Sequence, residues 1–205
     1  ISFLYPIWDK KGPDGLPKKV DHSVRTLEET KVARSDLKVA LGLLDARLII
    51  GEHGLFDQLS MEALTYWKRN HLEELRLSMK ARHDRFGDLA YLLEPDIKEA
   101  RGGLRDMSAI RAIARSEVIQ FEESTIENIN AMESKLLDIR DSLHQVSGRD
   151  KDQLLFHEQD KVAEDLSFVD ADALMGTVAT IARSVEYQLN VAALLRYSKK
   201  SLFFP

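Results

Sequence analysis

The sequence predicts a mainly α-helical protein, a helical bundle with a small strand remnant at its N-terminal end. Along most of the chain, apolar residues recur at the three- and four-residue spacing of a helix that buries one face. Two capping-box patterns, Thr26 with Glu29 and Ser124 with Glu127, mark the beginnings of helices. Strand patterns are confined to the beginning of the chain, at residues 1–5 and 20–25. With 44% hydrophobic residues, a chain of 205 residues can form a buried core.

The N-terminal part of the chain begins with a segment that fits two structures. Residues 1–5 are typical of a strand, or they begin a helix that continues to Trp8. Residues 11–15 contain two glycines and a proline and form a loop. Residues 20–25 follow as one short strand with mixed faces, and Thr26 then caps the next helix.

Helical patterns follow one another through the rest of the chain. A helix that opens at Ser35 or Asp36 keeps its leucines on one face, and Gly51 is placed to end it. Charges of both signs alternate around Arg82, which is typical of a solvated helix face. The later helices are expected at about residues 55–65, 66–86, 104–114, 124–148 and 152–166, and from Asp170 or Asp172 to about Tyr197.

Composition and charge argue against several classes of protein. Lys and Arg number 29 against 34 Asp and Glu, and the net charge of −5 argues against a general binder of nucleic acid or anionic membranes. The absence of cysteine excludes disulfides and thiolate metal sites, and the 6 histidines lack the spacing of a metal site. No apolar run is long enough to span a bilayer, so we expect a cytoplasmic protein without a membrane partner.

Residues 94–106 place acids, bases and a glycine pair immediately before a helix. Pro95 disfavours helix at the residue before it, so Glu94 is presented by an extended or turned backbone. Gly102 and Gly103 allow close approach of a ligand and are expected to leave the first helix amides free for an anion. Together with the nearby cations Lys98, Arg101 and Arg105, this arrangement suits the binding of a phosphate. The alternative is a charged loop without a ligand, followed by a helix whose first turn is weakened by glycine.

Together with the His22–Thr26 run, residues 94–106 resemble a signature of the bacterial PII uridylyltransferases. In that signature, glycine-glycine-leucine-arginine-aspartate follows a glutamate-proline-acid/amide-isoleucine-lysine run. The resemblance covers residues 7 to 197 approximately. It includes the runs at residues 47–51, 82–88, 139–144 and 154–156.

The resemblance implies a division of the chain into two parts. Residues 1–30 correspond to the C-terminal remnant of a nucleotidyltransferase α/β catalytic sheet of the polymerase-β-like superfamily, and residues 31–205 to the helical domain that follows it. The glycine-arginine-glycine-glutamate-leucine turn of that superfamily does not occur in the sequence, and no predicted strand carries its aspartate-x-aspartate pair. We therefore expect an interior piece of a longer enzyme, inactive by itself.

The resemblance also implies roles for individual residues. Asp21 is a candidate third catalytic carboxylate that holds the metal or accepts the proton of the attacking hydroxyl, or it is an ordinary acid at a strand end. Glu94 either fixes the loop through the backbone or binds a sugar hydroxyl, and Asp106 either stabilises its helix, orients Arg105 or touches the ligand. The full set of expected nucleotide-binding residues is Ser23, Arg25, Glu94, Lys98, Gly102, Gly103, Arg105 and Asp106.

The implied activity of the parent enzyme is transfer of a nucleoside monophosphate to a tyrosine of the PII nitrogen-signalling protein. The donor is UTP, or ATP as in some relatives, the metal is Mg²⁺, and glutamine sensed elsewhere in the enzyme controls the reaction. The alternative is a non-catalytic helical module that docks a protein partner. A nucleic-acid nucleotidyltransferase is a weaker alternative because the net charge of −5 is of the wrong sign.

Overall fold

Helices form most of the chain in the computed structural model, which describes residues 5–11, 22–117 and 119–201. The helices are α1 Tyr5–Trp8, α2 Leu27–Ala33, α3 Leu37–Leu44, α4 His53–Asn70, α5 Leu72–Phe86, α6 Leu104–Arg115, α7 Glu123–Ser147, α8 Phe156–Asp165 and α9 Ala171–Ser201, with a 3₁₀ turn at Leu89–Tyr91. The prediction of a mainly helical fold is confirmed.

The predicted strand at residues 20–25 is not found where the structure describes it. Residues 22–25 have no regular secondary structure, and residues 20 and 21 lie outside the described part. Val24 is 81% exposed, so the segment has no packed face of the kind that stabilises a strand in a sheet. Two isolated β-bridges join described residues to each other, a parallel one between Asp88 and Arg101 and an antiparallel one between Asp96 and Gln153.

Local capping explains where several helices begin and end. The Thr26 hydroxyl accepts a hydrogen bond from the Glu29 amide at 3.2 Å while the Glu29 carboxylate accepts one from the Thr26 amide at 2.7 Å, so this capping box is confirmed. Asp36 caps α3 as predicted, through the amides of the second and third helical residues. Gly148 ends α7 in a left-handed conformation with φ 62°.

Other predicted boundaries are wrong. Glu122 precedes the first residue of α7, so Ser124 lies inside the helix and does not cap it. The chain continues as one helix past Thr65 and breaks only at His71, where α4 meets α5. Residues 152–155 are extended because their backbone pairs with residues 95–97, which delays α8 until Phe156.

Two hydrophobic cores meet at α6. Its residues Met107 and Ile110 belong to a large core formed with α7, α8 and α9, and Ala109 and Ala112 belong to a smaller core formed with α3, α4 and α5. In the smaller core Trp67 is fully buried and its indole donates a 3.0 Å hydrogen bond to the Ala112 carbonyl. Because α6 is buried on both sides, the glycine pair before it also lies in the interior.

None of the helices that the structure describes is both long enough and apolar enough to cross a membrane.

Candidate functional site

Residues 94–103 fold into a compact turn in front of α6. The Asp96 carboxylate accepts hydrogen bonds from the Lys98 amide at 3.0 Å and the Glu99 amide at 2.8 Å, which is the geometry of an aspartate-initiated turn. Ile97 and Ala100 are fully buried and join the large core. The segment is therefore part of the packed interior, with only its charged side chains at the surface.

The glycine pair serves close packing against the protein itself. Gly102 has φ +87°, and a Cβ atom added there would lie 2.6 Å from the Ala182 carbonyl oxygen of α9. A Cβ atom on Gly103 would lie 2.6 Å from the Ile97 carbonyl oxygen. Both contacts are with backbone atoms, so no larger residue fits without moving α9 or the turn.

The first amides of α6 are not free, and the prediction that they await an anion is wrong. The Gly102 amide donates to the Asp106 carboxylate at 2.8 Å. The amides of Gly103, Leu104 and Arg105 donate to the carbonyls of residues 100, 97 and 98 at 3.0, 3.2 and 3.1 Å. The turn thus caps its own helix, because each donor that a bound anion needs already has a backbone or side-chain acceptor.

Asp106 lies fully buried at the centre of a group that we name the Asp106 cluster: Arg82, His83, Gly102 and Asp106. Arg82 donates to its carboxylate, and His83 Nε2 lies 2.9 Å from both carboxylate oxygens. Burial by itself raises the pKa of Asp106, but the hydrogen bond from His83 and the charge of Arg82 outweigh it and hold the pKa below its ordinary value of 3.8. Asp106 therefore ties α5 to α6 and does not orient Arg105.

A second group, the Asp152 cluster, contains Lys98, Arg140, His144 and Asp152. Asp152 Oδ1 accepts from Arg140 Nε at 2.6 Å and from His144 Nε2 at 2.9 Å, and Lys98 Nζ lies 3.2 Å from Oδ2. Burial raises the pKa of Asp152, but the hydrogen bonds from Arg140 and His144 outweigh it and lower the pKa below 3.8. Three cationic or ionisable groups thus share one carboxylate.

The two cations of the signature have different carboxylate partners. Arg105 Nε lies 3.3 Å from Glu99 on the turn itself, whereas Lys98 reaches Asp152 in the segment before α8. Lys98 and Arg105 therefore do not converge on the glycine turn. Their nucleotide-binding role stays a prediction.

Glu94 fixes the loop, which is one of the two alternatives that the sequence left open. Its carboxylate accepts a 2.9 Å hydrogen bond from the Phe156 amide at the beginning of α8, and its carbonyl accepts one from Gln153 at 3.3 Å. Ser23 and Arg25 lie exposed ahead of α2. In the described part of the chain, no hydrogen bond or ion pair joins either of them to the glycine turn, and Asp21 lies outside that part.

Sequence reasoning missed the partners of both clusters. Arg82 was expected on a solvated face, but its side chain is only 13% exposed. A signal was present, because Leu75, Met79, Arg82 and Phe86 follow a four-three-four spacing that places them on one helix face. Arg140 and His144 likewise share a face of α7 at a four-residue spacing.

Magnesium has no evident set of ligands in the residues that the structure describes. Across residues 5–11, 22–117 and 119–201, no three or more His, Asp or Glu side chains are grouped so as to hold a metal ion. The carboxylates of Asp106 and Asp152 are surrounded by cations, which is the opposite of a hard-cation site.

The fold and the two clusters define a helical domain in which the charged residues of the signature form hydrogen bonds and ion pairs with other residues of the same domain. A family model described as GlnD PII-uridylyltransferase matches residues 70–192, a range that contains both clusters entirely. The chain belongs to this family, and the resemblance inferred from the sequence is confirmed. The description of the family names a transferase.

Individual relatives agree with the family model. Each of the following is a protein named "bifunctional uridylyltransferase/uridylyl-removing enzyme". The one from Streptomyces coelicolor is 45% identical over 187 residues, which cover 89% of this chain and 21% of the relative. The one from Mycobacterium tuberculosis is 35% identical over a region that covers 89% of this chain and 23% of the relative. The one from Corynebacterium glutamicum is 32% identical over a region that covers 92% of this chain and 26% of the relative.

The chain thus spans between about a fifth and about a quarter of the length of these curated relatives. No solved structure matches it.

Proposed function

We infer that this chain forms the helical part of an enzyme that transfers UMP from UTP to a tyrosine of the PII signalling protein, with Mg²⁺ as the cofactor. The observation that carries the proposal is the family match over residues 70–192. The names of the relatives favour UTP over ATP as the donor. In this proposal residues 1–30 are the C-terminal remnant of the catalytic nucleotidyltransferase region, without the predicted strand at the described residues 22–25, and residues 31–205 form the helical domain.

In this proposal the chain supports catalysis without holding the metal. The glycine turn and the Asp106 cluster hold α5, α6 and α9 together, so they fix the positions of the signature side chains at the surface. Nucleotidyl transfer depends mainly on positioning and on offsetting phosphate charge, which a rigid, partly cationic surface supplies. Arg105, with a side chain 51% exposed, and the exposed Ser23 and Arg25 are the residues that we propose to meet the nucleotide.

The test compares two proteins in one assay with UTP labelled at the α-phosphate, Mg²⁺ and a PII protein. The 205-residue chain alone should give no labelled PII. Its two aspartate-x-aspartate runs, at residues 150–152 and 170–172, do not lie on a strand, and the described residues contain no group of three His, Asp or Glu side chains that could hold a metal ion. The longer parent protein should label PII, and a PII variant with phenylalanine at the modified tyrosine should stay unlabelled. Transfer by the chain alone, or none by the parent, contradicts the proposal.

One observation favours the second candidate, a helical module that binds a protein and never contacts nucleotide. The amides at the glycine turn are all bonded within the chain, so that turn offers no preformed phosphate cradle. The same assay separates the two candidates. A docking module predicts that variants at Arg105 leave the parent's KM for UTP unchanged, whereas the nucleotidyltransferase proposal predicts that Arg105→Glu raises it.

A further inference from the structure

The Asp152 cluster brings donors from three separate segments to one place. Lys98 comes from the turn before α6, Arg140 and His144 from successive turns of α7, and Asp152 from the extended segment before α8. The backbone fixes this meeting, because the Ile97 amide donates to the Asp152 carbonyl and the Leu154 amide to the Pro95 carbonyl, both at 2.9 Å. The cluster is therefore a preorganised site and not a chance contact of long side chains.

The charges of the cluster do not balance. Lys98 and Arg140 bring two positive charges and Asp152 one negative charge, and His144 adds a further positive charge when protonated. Two further carboxylates lie nearby. Asp150 is 89% exposed and 3.9 Å from His144, and the Asp96 carboxylate accepts hydrogen bonds from the backbone amides of Lys98 and Glu99. By contrast, Arg111 and Glu133 form a one-to-one pair in which both terminal nitrogens of the arginine contact the carboxylate.

Hydrogen-bond donors also remain available. Arg140 uses only Nε toward Asp152, and its two terminal nitrogens make no hydrogen bond to the residues that the structure describes. Lys98 Nζ has one carboxylate contact, at 3.2 Å, out of three possible donations. The side chains of Lys98, Arg140 and His144 are 33%, 25% and 19% exposed, so a ligand in solvent can reach them.

We propose that the Asp152 cluster binds a phosphate group through Lys98, Arg140 and His144. A guanidinium fork and an ammonium group offer the donors that phosphate oxygens accept, and a dianion offsets the excess positive charge. Asp152 holds the cations in place from the protein side while the phosphate meets them from the solvent side. The phosphate belongs to inorganic phosphate, to pyrophosphate or to a nucleotide, and only the nucleotide source rests on the function proposed above.

The experiment is a calorimetric titration of the 205-residue chain with pyrophosphate in the absence of metal, repeated with inorganic phosphate and with UTP. Each of Lys98→Gln and Arg140→Gln should weaken pyrophosphate binding about tenfold or more, because each removes a charge-assisted hydrogen bond. Arg111→Gln is the matched control, since Arg111 is equally shielded and pairs with a carboxylate elsewhere, and it should leave the affinity unchanged. Circular dichroism checks that each variant is folded.

One further measurement, together with the Lys98→Gln variant, makes the outcome decisive. The ring signals of His144, assigned with His144→Gln, should shift in the NMR spectrum on addition of pyrophosphate in proportion to binding. Lys98→Gln removes only one ion pair, from a side chain that is 33% exposed, so it tests the site even if Arg140→Gln unfolds. Equal affinity in all variants, or binding that leaves the His144 signals unmoved, overturns the proposal.

The UTP arm distinguishes the sources of the phosphate. Affinity for UTP well above that for pyrophosphate assigns the site to a nucleotide, and equal affinity assigns it to the phosphate groups alone. Failure of this proposal is separate from failure of the proposed function, because the titration contains neither PII nor metal, and labelling of PII by the parent protein is measured independently.

Discussion

Asp106 shows how one buried carboxylate joins parts of the chain that are far apart in sequence. It accepts hydrogen bonds from Arg82 and His83 on α5 and from the Gly102 amide in the turn before its own helix. A charge is buried at low cost only when such partners surround it, and removing one member leaves the others without compensation. The position of Asp106 in the first turn of α6 also suits the helix dipole.

We predict that Asp106→Asn lowers the free energy of unfolding by about 3 kcal/mol, because it leaves the buried Arg82 guanidinium without its counter-charge. Urea denaturation followed by circular dichroism measures this change. Asp84→Asn is the control, because Asp84 pairs with Lys80 on an exposed face of α5 and the loss of this pair should have little effect. Equal destabilisation by both substitutions would show that burial of the Asp106 cluster does not increase its contribution to the free energy of unfolding.

At the scale of elements, the docking of α9 depends on the glycine turn. The large core continues from the turn into α9 through Ala182 and its neighbours Val178 and Val185. Gly102 meets the backbone of α9 directly, which no residue with a Cβ atom can do without displacement. This backbone contact explains a glycine that, in the sequence, is equally consistent with close approach of a ligand.

Gly102→Ala should therefore destabilise the chain by about 2–4 kcal/mol, from overpacking against Ala182 and from a left-handed backbone conformation that alanine disfavours. Gly176→Ala is the matched control. Gly176 lies within α9, and a Cβ atom there meets no heavy atom within 4 Å, so alanine should be neutral or stabilising. Thermal unfolding compares the two, and a Gly102→Ala protein as stable as the Gly176→Ala protein would contradict the packing account.

At the scale of the whole molecule, stability depends on carboxylates that hold separate segments together. Asp106 links α5 to α6, and Asp152 links α7 to the turn before α6. The pKa of each is below its ordinary value of 3.8. A lowered pKa in the folded state means that the charged form favours folding, so the contribution is fully present above the ordinary pKa.

We predict that the free energy of unfolding falls as the pH drops through and below about 3.8, where the unfolded chain binds protons that the folded chain excludes. Urea denaturation between pH 6 and pH 3 measures the slope. The slope should be shallower in Asp106→Asn, which has no carboxyl group to protonate at that position. An identical slope in the two proteins would show that Asp106 titrates alike in both states.

The sequence predicted much of the fold because the signals involved are local. Helical spacing, the Thr26 capping box, the Asp36 cap and Gly148 depend on neighbours within a few residues, and the structure confirms them. The wrong boundaries at Ser124 and Asp152 have a different origin. Both residues carry good capping side chains, but tertiary pairing of residues 152–155 with residues 95–97 outweighed local preference at the second of these sites.

The sequence by itself determined the helical class, several helix ends and the family to which the chain belongs. The tertiary structure alone decided what the glycine pair packs against and which carboxylate each cation meets. The physical reason is distance along the chain. Arg82 and Asp106 are 24 residues apart in sequence, and burial selects such partners only when the helices pack, because no short-range pattern records which surfaces will meet.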